Sequence, residues 1–456
     1  MKNIKIKKIL STICTLAVSL TTLSFPAPAT VKAADSTMRN ITTQQLVNDM
    51  GLGINLGNTF ESCGSWISNK TVTGYETAWG SPVITQNIIN GYANEGFGVL
   101  RIPVAWSNMM SSDYTISADY LNRVKTIVDW TIDAGMYAIV NLHWDSGWVN
   151  EFPNNKTESM KKYTAIWTQV SDAFKDYGDY LMFESQNEEL GWNSLSTTES
   201  YALVNEINQK FVDIIRASGG NNPKRHLLIS GYNTDIVKTC NSNFKMPSDP
   251  ANRCALSVHY YTPATFCILE EDADWGKCRD TWGTESDFTE LNNLMDLMVS
   301  KYVSKGVPVI IGEYGCPKNN KDAASVQLFI KSVAEAAYKR DMCPVLWDIS
   351  IYDDSSKGLH YSRSSYKMID QTLKTQLNLL LSNYNKDTGS GNTTVTPDKG
   401  DVDSNGTINL YDVIAIAKHM MGMVTLSGEQ FTLADYDGNG VVNLYDAVSV
   451  AKIIMQ

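Results

Sequence analysis

Eight short apolar runs alternate with amphipathic stretches between residues 51 and 348, and no other feature constrains the fold as tightly. The runs are Gly51–Leu56, Gly98–Val104, Tyr137–His143, Tyr180–Asn187, His226–Ser230, Ala255–Tyr260, Pro308–Glu313 and Pro344–Asp348. They read as parallel strands buried on both faces, which need near-continuous apolar sequence. Segments such as Ala118–Ala134, Thr157–Tyr177, Thr198–Ala217 and Ala323–Lys339 carry apolar residues at helical spacing instead. Strand–helix alternation repeated eight times over about 350 residues predicts an α/β chain closed into a (β/α)8 barrel. An open doubly wound sheet is the alternative. It more often carries a Gly-rich dinucleotide turn, and the sequence has none.

At 456 residues the chain exceeds one average domain and suits a large barrel plus a small module. Hydrophobic residues make up 43% and charged residues 19%, enough apolar content for a sizeable core. The formal net charge is −11, and about −16 without the five lysines of the first 34 residues. That charge argues against a polyanionic partner such as nucleic acid.

Lys2, Lys5, Lys7 and Lys8 precede an apolar stretch from Ile9 to about Phe25, and Val31-Lys32-Ala33 places small residues at −3 and −1. This is the pattern of a signal peptide over residues 1–33, so export is expected. The apolar stretch is short and interrupted by Ser and Thr, which disfavours a membrane anchor, and no later segment is long and apolar enough to span a bilayer. Cys14 departs with the signal, leaving cysteines 63, 240, 254, 267, 278, 316 and 343. An odd number implies a free thiol or an intermolecular pair. Cys267–Cys278 and Cys240–Cys254 are plausible loop staples, and no CxxC or His/Cys cluster indicates zinc.

The barrel unit is expected over residues 34–384. Residues 385–399, NKDTGSGNTTVTPDK, have the composition of a flexible linker. Residues 400–456 hold a duplication, in which GDVDSNGTINLYDVIAIAKHMMG aligns with ADYDGNGVVNLYDAVSVAKIIM at an offset of 34 residues.

Polar residues collect at the C-terminal ends of the expected strands, where barrel enzymes place their active sites. They are Arg101 on the second strand, Asn141, His143 and Trp144 on the third, Glu184, Asn187 and Glu188 on the fourth, His259 and Tyr261 on the sixth, Glu313 on the seventh, and Trp347 and Asp348 on the eighth. One such residue serves equally well as a helix cap or ion-pair partner, but six strand ends converging on one mouth are hard to explain as caps. Strands four and seven face each other across the mouth, so Glu188 and Glu313 can flank a glycosidic bond. One must be protonated to hand a proton to the leaving oxygen, and the other ionised to attack the anomeric carbon. Arg101 is placed to hold the nucleophile ionised, and Asn187 to position a sugar hydroxyl. His143, His259 and Tyr261 can orient the carboxylates and bind hydroxyls, and Trp347 can stack under a sugar ring.

These blocks resemble glycoside hydrolase family 5 over about residues 41–375, and Gly53-Ile-Asn-Leu-Gly-Asn58-Thr resembles its endoglucanase-rich branches. The resemblance implies Glu188 as acid/base, Glu313 as nucleophile, retention of anomeric configuration and no cofactor for catalysis. Arg101, His143, Asn187, His259, Tyr261 and Trp347 match the remainder of the family's set. Two positions depart from it. The family usually reads Asn-Glu-Pro where this chain has Glu189, and many relatives carry His-His where the second residue here is Trp144. Glu189 would raise the pKa of Glu188 if the two carboxyls interact. The expected activity is endo-β-1,4-glucanase by a monomeric catalytic domain, with xyloglucan or mannan as rival substrates. A non-catalytic glycan-binding barrel is the alternative of another class, although it has no need of both carboxylates. Trp66, Trp79, Trp106, Trp144, Trp148, Trp192, Trp275 and Trp282 fall in or near strand-to-helix loops and would suit an open cleft for a long chain.

In the tail, Asp401, Asp403, Asn405, Asn409 and Asp412 fall at positions 1, 3, 5, 9 and 12 of a calcium loop, with Gly406 at 6 and the Thr407 carbonyl at 7. The second repeat offers Asp435, Asp437, Asn439, Asn443 and Asp446, with Gly440 and the Val441 carbonyl. The last ligand is Asp rather than Glu, and one helix is expected after each loop with none before it. The tail resembles a dockerin, which implies two structural calcium ions and a cohesin partner on an extracellular cellulosome scaffold. Leu410-Tyr411 and Leu444-Tyr445 occupy loop positions 10 and 11, which commonly help choose the cohesin. Their near symmetry would permit two binding orientations.

Overall fold

The computed structural model describes residues 36–190, 193, 195–349, 360–384, 386–389, 399–402, 408 and 410–454. The expected signal peptide, Trp192 and the calcium-loop positions Asp403, Asn405, Thr407 and Asn409 lie outside the described residues. Eight parallel strands, β1 (Gly53–Asn55), β2 (Val99–Ile102), β3 (Tyr137–Asn141), β4 (Leu181–Glu184), β5 (Leu227–Asp235), β6 (Cys254–Tyr260), β7 (Val309–Tyr314) and β8 (Cys343–Leu346), close in sequence order into a barrel. Every expected apolar run overlaps one of them. The largest difference is β5, which continues past Ser230 to Asp235 through a register shift against β6. Asn233 and Thr234 there are left-handed, with φ of 52° and 46°, and such a stretch has no period to read.

Helices α1 (Thr43–Asp49), α2 (Gln86–Asn94), α3 (Ala118–Asp133), α4 (Lys156–Ala173), α5 (Thr197–Ala217), α6 (Glu285–Lys301), α7 (Ala323–Tyr338) and α8 (Gln371–Asn383) accompany the strands. In α3 the buried residues are Tyr120, Val124, Ile127, Val128, Thr131 and Ile132, a one-sided stripe. A capping box opens α5. The Ser196 hydroxyl accepts from the Glu199 amide at 3.3 Å, and Glu199 accepts the Ser196 amide at 3.0 Å.

Side-chain alternation along the strands decides where chemistry can sit. Val99, Ile139, Met182, Leu228, Ala255, Ile310 and Val345 form an apolar layer that α1 closes from below with Leu46, Val47 and Met50. Two residues further along, the equivalent positions on β2, β3, β4 and β6 turn polar, with Arg101, Asn141, Glu184 and Ser257, all buried. Strand β7 needs a device to join them, because regular alternation would aim Gly312 inward and Glu313 outward. The register against β6 slips there, Val258 pairing with Ile311 but His259 with Glu313. The bulge turns Glu313 into the mouth beside His259. Glycine suits the extra residue, since a Cβ on Gly312 would lie 2.8 Å from Ser257 Oγ and 3.3 Å from His259 Nε2.

All seven described cysteines are free, so neither expected staple forms. Cys240 Sγ meets Met298 Sδ at 3.7 Å, whereas Cys254 Sγ points to Asp249 Oδ2 at 3.4 Å. Cys278 Sγ lies 3.1 Å from Lys321 Nζ, while Cys267 is buried.

Within the segment expected as linker, residues 386–389 lie against the barrel: Lys386 Nζ meets Asp341 at 2.7 Å, and Asn48 donates to the Asp387 carbonyl at 2.9 Å. The tail contains α9 (Leu410–Met420), α10 (Gly428–Ala434) and α11 (Leu444–Ile454) around a small core of Val402, Ile416, Leu426, Ala434, Val442, Ala447 and Val450. The second loop therefore does have a preceding helix, contrary to expectation. Helix α10 is seven residues long, too short to show a period. No helix among the described residues is long and apolar enough to cross a membrane.

Candidate active site

Arg101, fully buried on β2, organises the mouth. Its Nε donates to Glu184 Oε2 at 2.6 Å, Nη1 to Glu313 Oε1 at 2.8 Å and to Asn55 Oδ1 at 2.9 Å, and Nη2 to Asn187 Oδ1 at 2.8 Å. One planar guanidinium thus fixes residues from β1, β4, the loop after β4, and β7. Ser257 Oγ donates to the other Glu184 oxygen at 2.7 Å, and Asn55 Nδ2 to the Gly312 carbonyl at 3.0 Å, which pins the bulge. Glu184 received no role from the sequence, and Asn55 and Ser257 were not singled out. The signal that finds all three is a polar residue at an inward strand position.

Glu313 also accepts from the Tyr261 hydroxyl at 3.0 Å. His259 Nδ1 lies 2.6 Å from Glu188 Oε1 and 3.6 Å from Glu313 Oε2. Carboxylate oxygens of Glu188 and Glu313 lie within 4.8 Å of each other and of the His259 ring nitrogen. The two acids differ in access, because the Glu188 side chain is 41% exposed to the mouth and that of Glu313 only 7%. Burial pushes Glu313 up, against the pull of His259 and Arg101. Desolvation by the walls of the mouth acts on Glu188 in the same sense, although the side chain is open to it, but the hydrogen bond and charge of His259 outweigh it and hold the carboxyl below its usual range. In the free site these directions run opposite to the expected roles, since burial favours a proton on Glu313 while His259 favours ionised Glu188.

Asn141 Nδ2 donates to His143 Nδ1 at 3.2 Å, and Asn141 Oδ1 accepts the Val104 amide at 3.2 Å, so the amide cannot usefully flip. His143 therefore carries its proton on Nε2. Burial, with Arg101 and His259 nearby, pushes its pKa well below the ordinary value and keeps it neutral. The ring stacks on Trp347 with centroids 6.0 Å apart and planes 7° apart. All eight residues given roles in the mouth are thereby brought together. Not every tryptophan expected at the cleft is available: Trp106 and Trp282 are buried core residues. Trp148 is tied by its Nε1 to Asp145 at 2.6 Å. Trp66, Trp144 and Trp275 remain exposed.

Glu189 behaves differently from expectation. Its side chain is buried beside Asp145, and the pKa of its neighbour Glu188 is lowered, not raised, because His259 outweighs the other influences.

In the tail, carboxylate oxygens of Asp435, Asp437 and Asp446 lie within 4.8 Å of one another. Asp446 is fully buried and accepts the Asn443 amide at 2.8 Å, and Gly440, with φ of 83°, donates its amide to Asp435 at 2.8 Å. Three carboxylates drawn together in a tight glycine-containing turn form a donor set of the chemistry and spacing that suits a hard divalent cation. In the first loop, Asp401 and Asp412 are buried in the equivalent places. Leu410, Leu444 and Tyr445 expose large apolar surface.

The family described as Cellulase (glycosyl hydrolase family 5) matches residues 61–353, and the family described as Dockerin type I domain matches residues 399–455. Endoglucanase B of Clostridium cellulovorans is 32% identical over 401 residues, covering 86% of each chain. A xyloglucan-specific endo-β-1,4-glucanase of Bacteroides ovatus is 34% identical, covering 71% of this chain and 68% of that protein. Among solved structures, a GH5-4 broad specificity endoglucanase from an uncultured bovine rumen ciliate superposes with a TM-score of 0.69 at 35% identity, covering 75% of this chain and 99% of its own. A GH5 family lichenase from Caldicellulosiruptor sp. F32 gives 0.69 at 31% identity, covering 76% and 96%. With the barrel, the carboxylate pair and the carboxylate cluster of the second tail loop in place, this chain belongs to glycosyl hydrolase family 5 as an endoglucanase-type enzyme carrying a C-terminal type I dockerin.

Proposed function

We propose that the protein is a secreted, retaining endo-β-1,4-glucanase that hydrolyses cellulose or related β-glucan by double displacement. The observation that carries this reading is that one carboxylate oxygen of Glu188 and one of Glu313 lie within 4.8 Å of each other, an approach that favours the closer of the two known spacings. Retention needs carboxyl groups about 5–5.5 Å apart, whereas inversion needs about 6.5–9.5 Å to admit a water. Glu188, open to the mouth, gives its proton to the glycosidic oxygen while Glu313 attacks the anomeric carbon, and the bond to the leaving chain breaks. Glu188, now ionised, takes a proton from water, which displaces Glu313 and frees the sugar. Arg101 and Tyr261 hold Glu313 in attacking position and stabilise its charge. Asn187, His143 and His259 are placed to bind hydroxyls or orient the carboxylates, and Trp347 to stack under a ring.

The xyloglucan-specific relative and the lichenase neighbour support a cleft that accepts more than one β-glucan, with xyloglucan as the second reading of the substrate. The dockerin, spanning about residues 400–456, attaches the enzyme to a cohesin through Leu410, Tyr411, Leu444 and Tyr445. It holds two calcium ions, one on Asp401, Asp403, Asn405, Thr407, Asn409 and Asp412, the other on Asp435, Asp437, Asn439, Val441, Asn443 and Asp446. Substituting Glu313→Gln tests the catalytic reading. Hydrolysis should collapse while folding and glycan binding persist. Retained hydrolysis would overturn it.

A further inference from the structure

Glu189 is the least comfortable residue near the catalytic pair. Its side chain is 1% exposed, and neither carboxylate oxygen has a hydrogen-bond donor among the described residues. The charged and titratable groups that face it are Asp145, from the loop after β3, and Glu188. Asp145 offers nothing, because its oxygens already accept the Ser107 amide and hydroxyl and the Trp148 indole. Lys162 of α4 lies near Asp145 and sits 4.3 Å over the Trp148 ring. Arg101 and His259 bond Asn187 and Glu188, not Glu189.

The backbone around this carboxyl is strained on both sides. Asp145, Ser146 and Gly147 have φ of 46°, 61° and 74° in succession. Leu190 is fully buried at φ 61°. The two loops are tied at this point by the Leu190 amide, which donates to Asn150 Oδ1 at 3.2 Å. The Glu189 amide closes a turn on the Asn187 carbonyl at 3.0 Å, so the segment that aims Glu188 is wound around the buried side chain.

We propose that Glu189 is a positioning residue for the acid/base that works only while uncharged, so that the segment carrying Glu188 loosens once Glu189 loses its proton. The inference rests on the reading of Glu188 as acid/base. Burial, with Asp145 and Glu188 adding to it, holds Glu189 protonated well above the usual carboxylate range. The sign follows from linkage. A carboxyl with a raised folded-state pKa leaves stability intact below the ordinary value and removes it progressively as pH rises toward the raised one. Ionisation there would place a charge where no described donor or cation can answer it. Opening of the strained loops relieves that, at the expense of the Glu188–His259 contact.

The test uses the full chain and compares wild type with Glu189→Gln and Glu189→Met, the second in case the buried amide impairs folding. Two quantities are followed across the pH range: kcat/KM on a soluble β-glucan and the thermal midpoint of the barrel. The alkaline limb of kcat/KM should move to higher pH in the variants, and their thermal midpoint should gain on wild type increasingly as pH rises. Superimposable alkaline limbs, or a thermal difference constant with pH, would overturn the inference. The thermal comparison does not depend on what Glu188 does, so it decides the matter even if Glu188→Gln proved active and the catalytic reading fell.

Discussion

Arg101 Nη1 and Glu313 Oε1 lie 2.8 Å apart where the guanidinium has no solvent contact, and the same group holds Glu184 at 2.6 Å. Two buried carboxylates thus share one cation. Removing one partner of such a cluster leaves uncompensated buried charge, at a cost of about 3–5 kcal/mol. Arg101→Ala should lower kcat/KM by about 10²–10⁴-fold. Arg101→Lys keeps the charge but cannot reach four acceptors, so it should fall between. In the proposed mechanism Glu313 must be ionised to attack, and Arg101 is one of the groups pulling its pKa down. The acid limb of kcat/KM should therefore shift to higher pH in both variants. An unmoved acid limb with full activity would exclude Arg101 from the work.

Glu188 and Glu313 can be told apart chemically. Glu188→Ala should reduce hydrolysis of a native β-glucan by about 10²–10⁴-fold, the usual worth of a general acid. An aryl glycoside whose leaving group needs no proton should still form the glycosyl-enzyme on Glu313. Added azide should then speed turnover and give the β-glycosyl azide. Product chromatography and anomeric NMR check this. An α-azide from Glu188→Ala would reverse the two assignments.

His259 supplies a pH prediction of definite sign. Its Nδ1, 2.6 Å from Glu188, holds that carboxyl below its usual range against the effect of burial. In the proposed mechanism Glu188 must be protonated to donate. Replacing His259 with Asn or Phe raises the proton affinity of Glu188, so the alkaline limb should move to higher pH even as peak activity drops. A downward shift would mean that His259 supports the acid form rather than the base.

The barrel was legible because parallel strands covered on both faces need continuous apolar runs, and all eight such runs became strands. The short helices Val72–Glu76, Ile236–Thr239 and Ala264–Cys267 were not, since none is long enough to express a period. The proposed catalytic pair was legible as acids at strand ends, but how Glu313 reaches the mouth was not. That depends on a one-residue slip at Gly312, which is a matter of pairing between β6 and β7 and leaves no mark in local sequence. The roles of Asn55, Glu184 and Ser257 emerge only when strands are placed side by side and their inward positions meet on one arginine. Glu189 was visible as a departure from the family pattern. Its burial against Asp145 was not, because that depends on how the loops after β3 and β4 pack.

The tail offers a prediction separable from the chemistry. Asp435, Asp437 and Asp446 present carboxylate oxygens within 4.8 Å of one another, and the buried Asp446 also accepts the Asn443 and Asp437 amides that shape the turn. Like charges so close repel unless a cation bridges them. Structural metals of this kind couple directly to folding. Chelation should therefore unfold the tail, detectable as lost helical signal and faster proteolysis within residues 400–456, while hydrolysis of a soluble β-glucan by the barrel continues at its full rate. Asp446→Ala should reproduce the effect at one site and lower calcium stoichiometry by about one ion per chain in titration calorimetry. A tail that resists protease equally with and without chelator would show that its small apolar core suffices and that the carboxylates hold no structural ion.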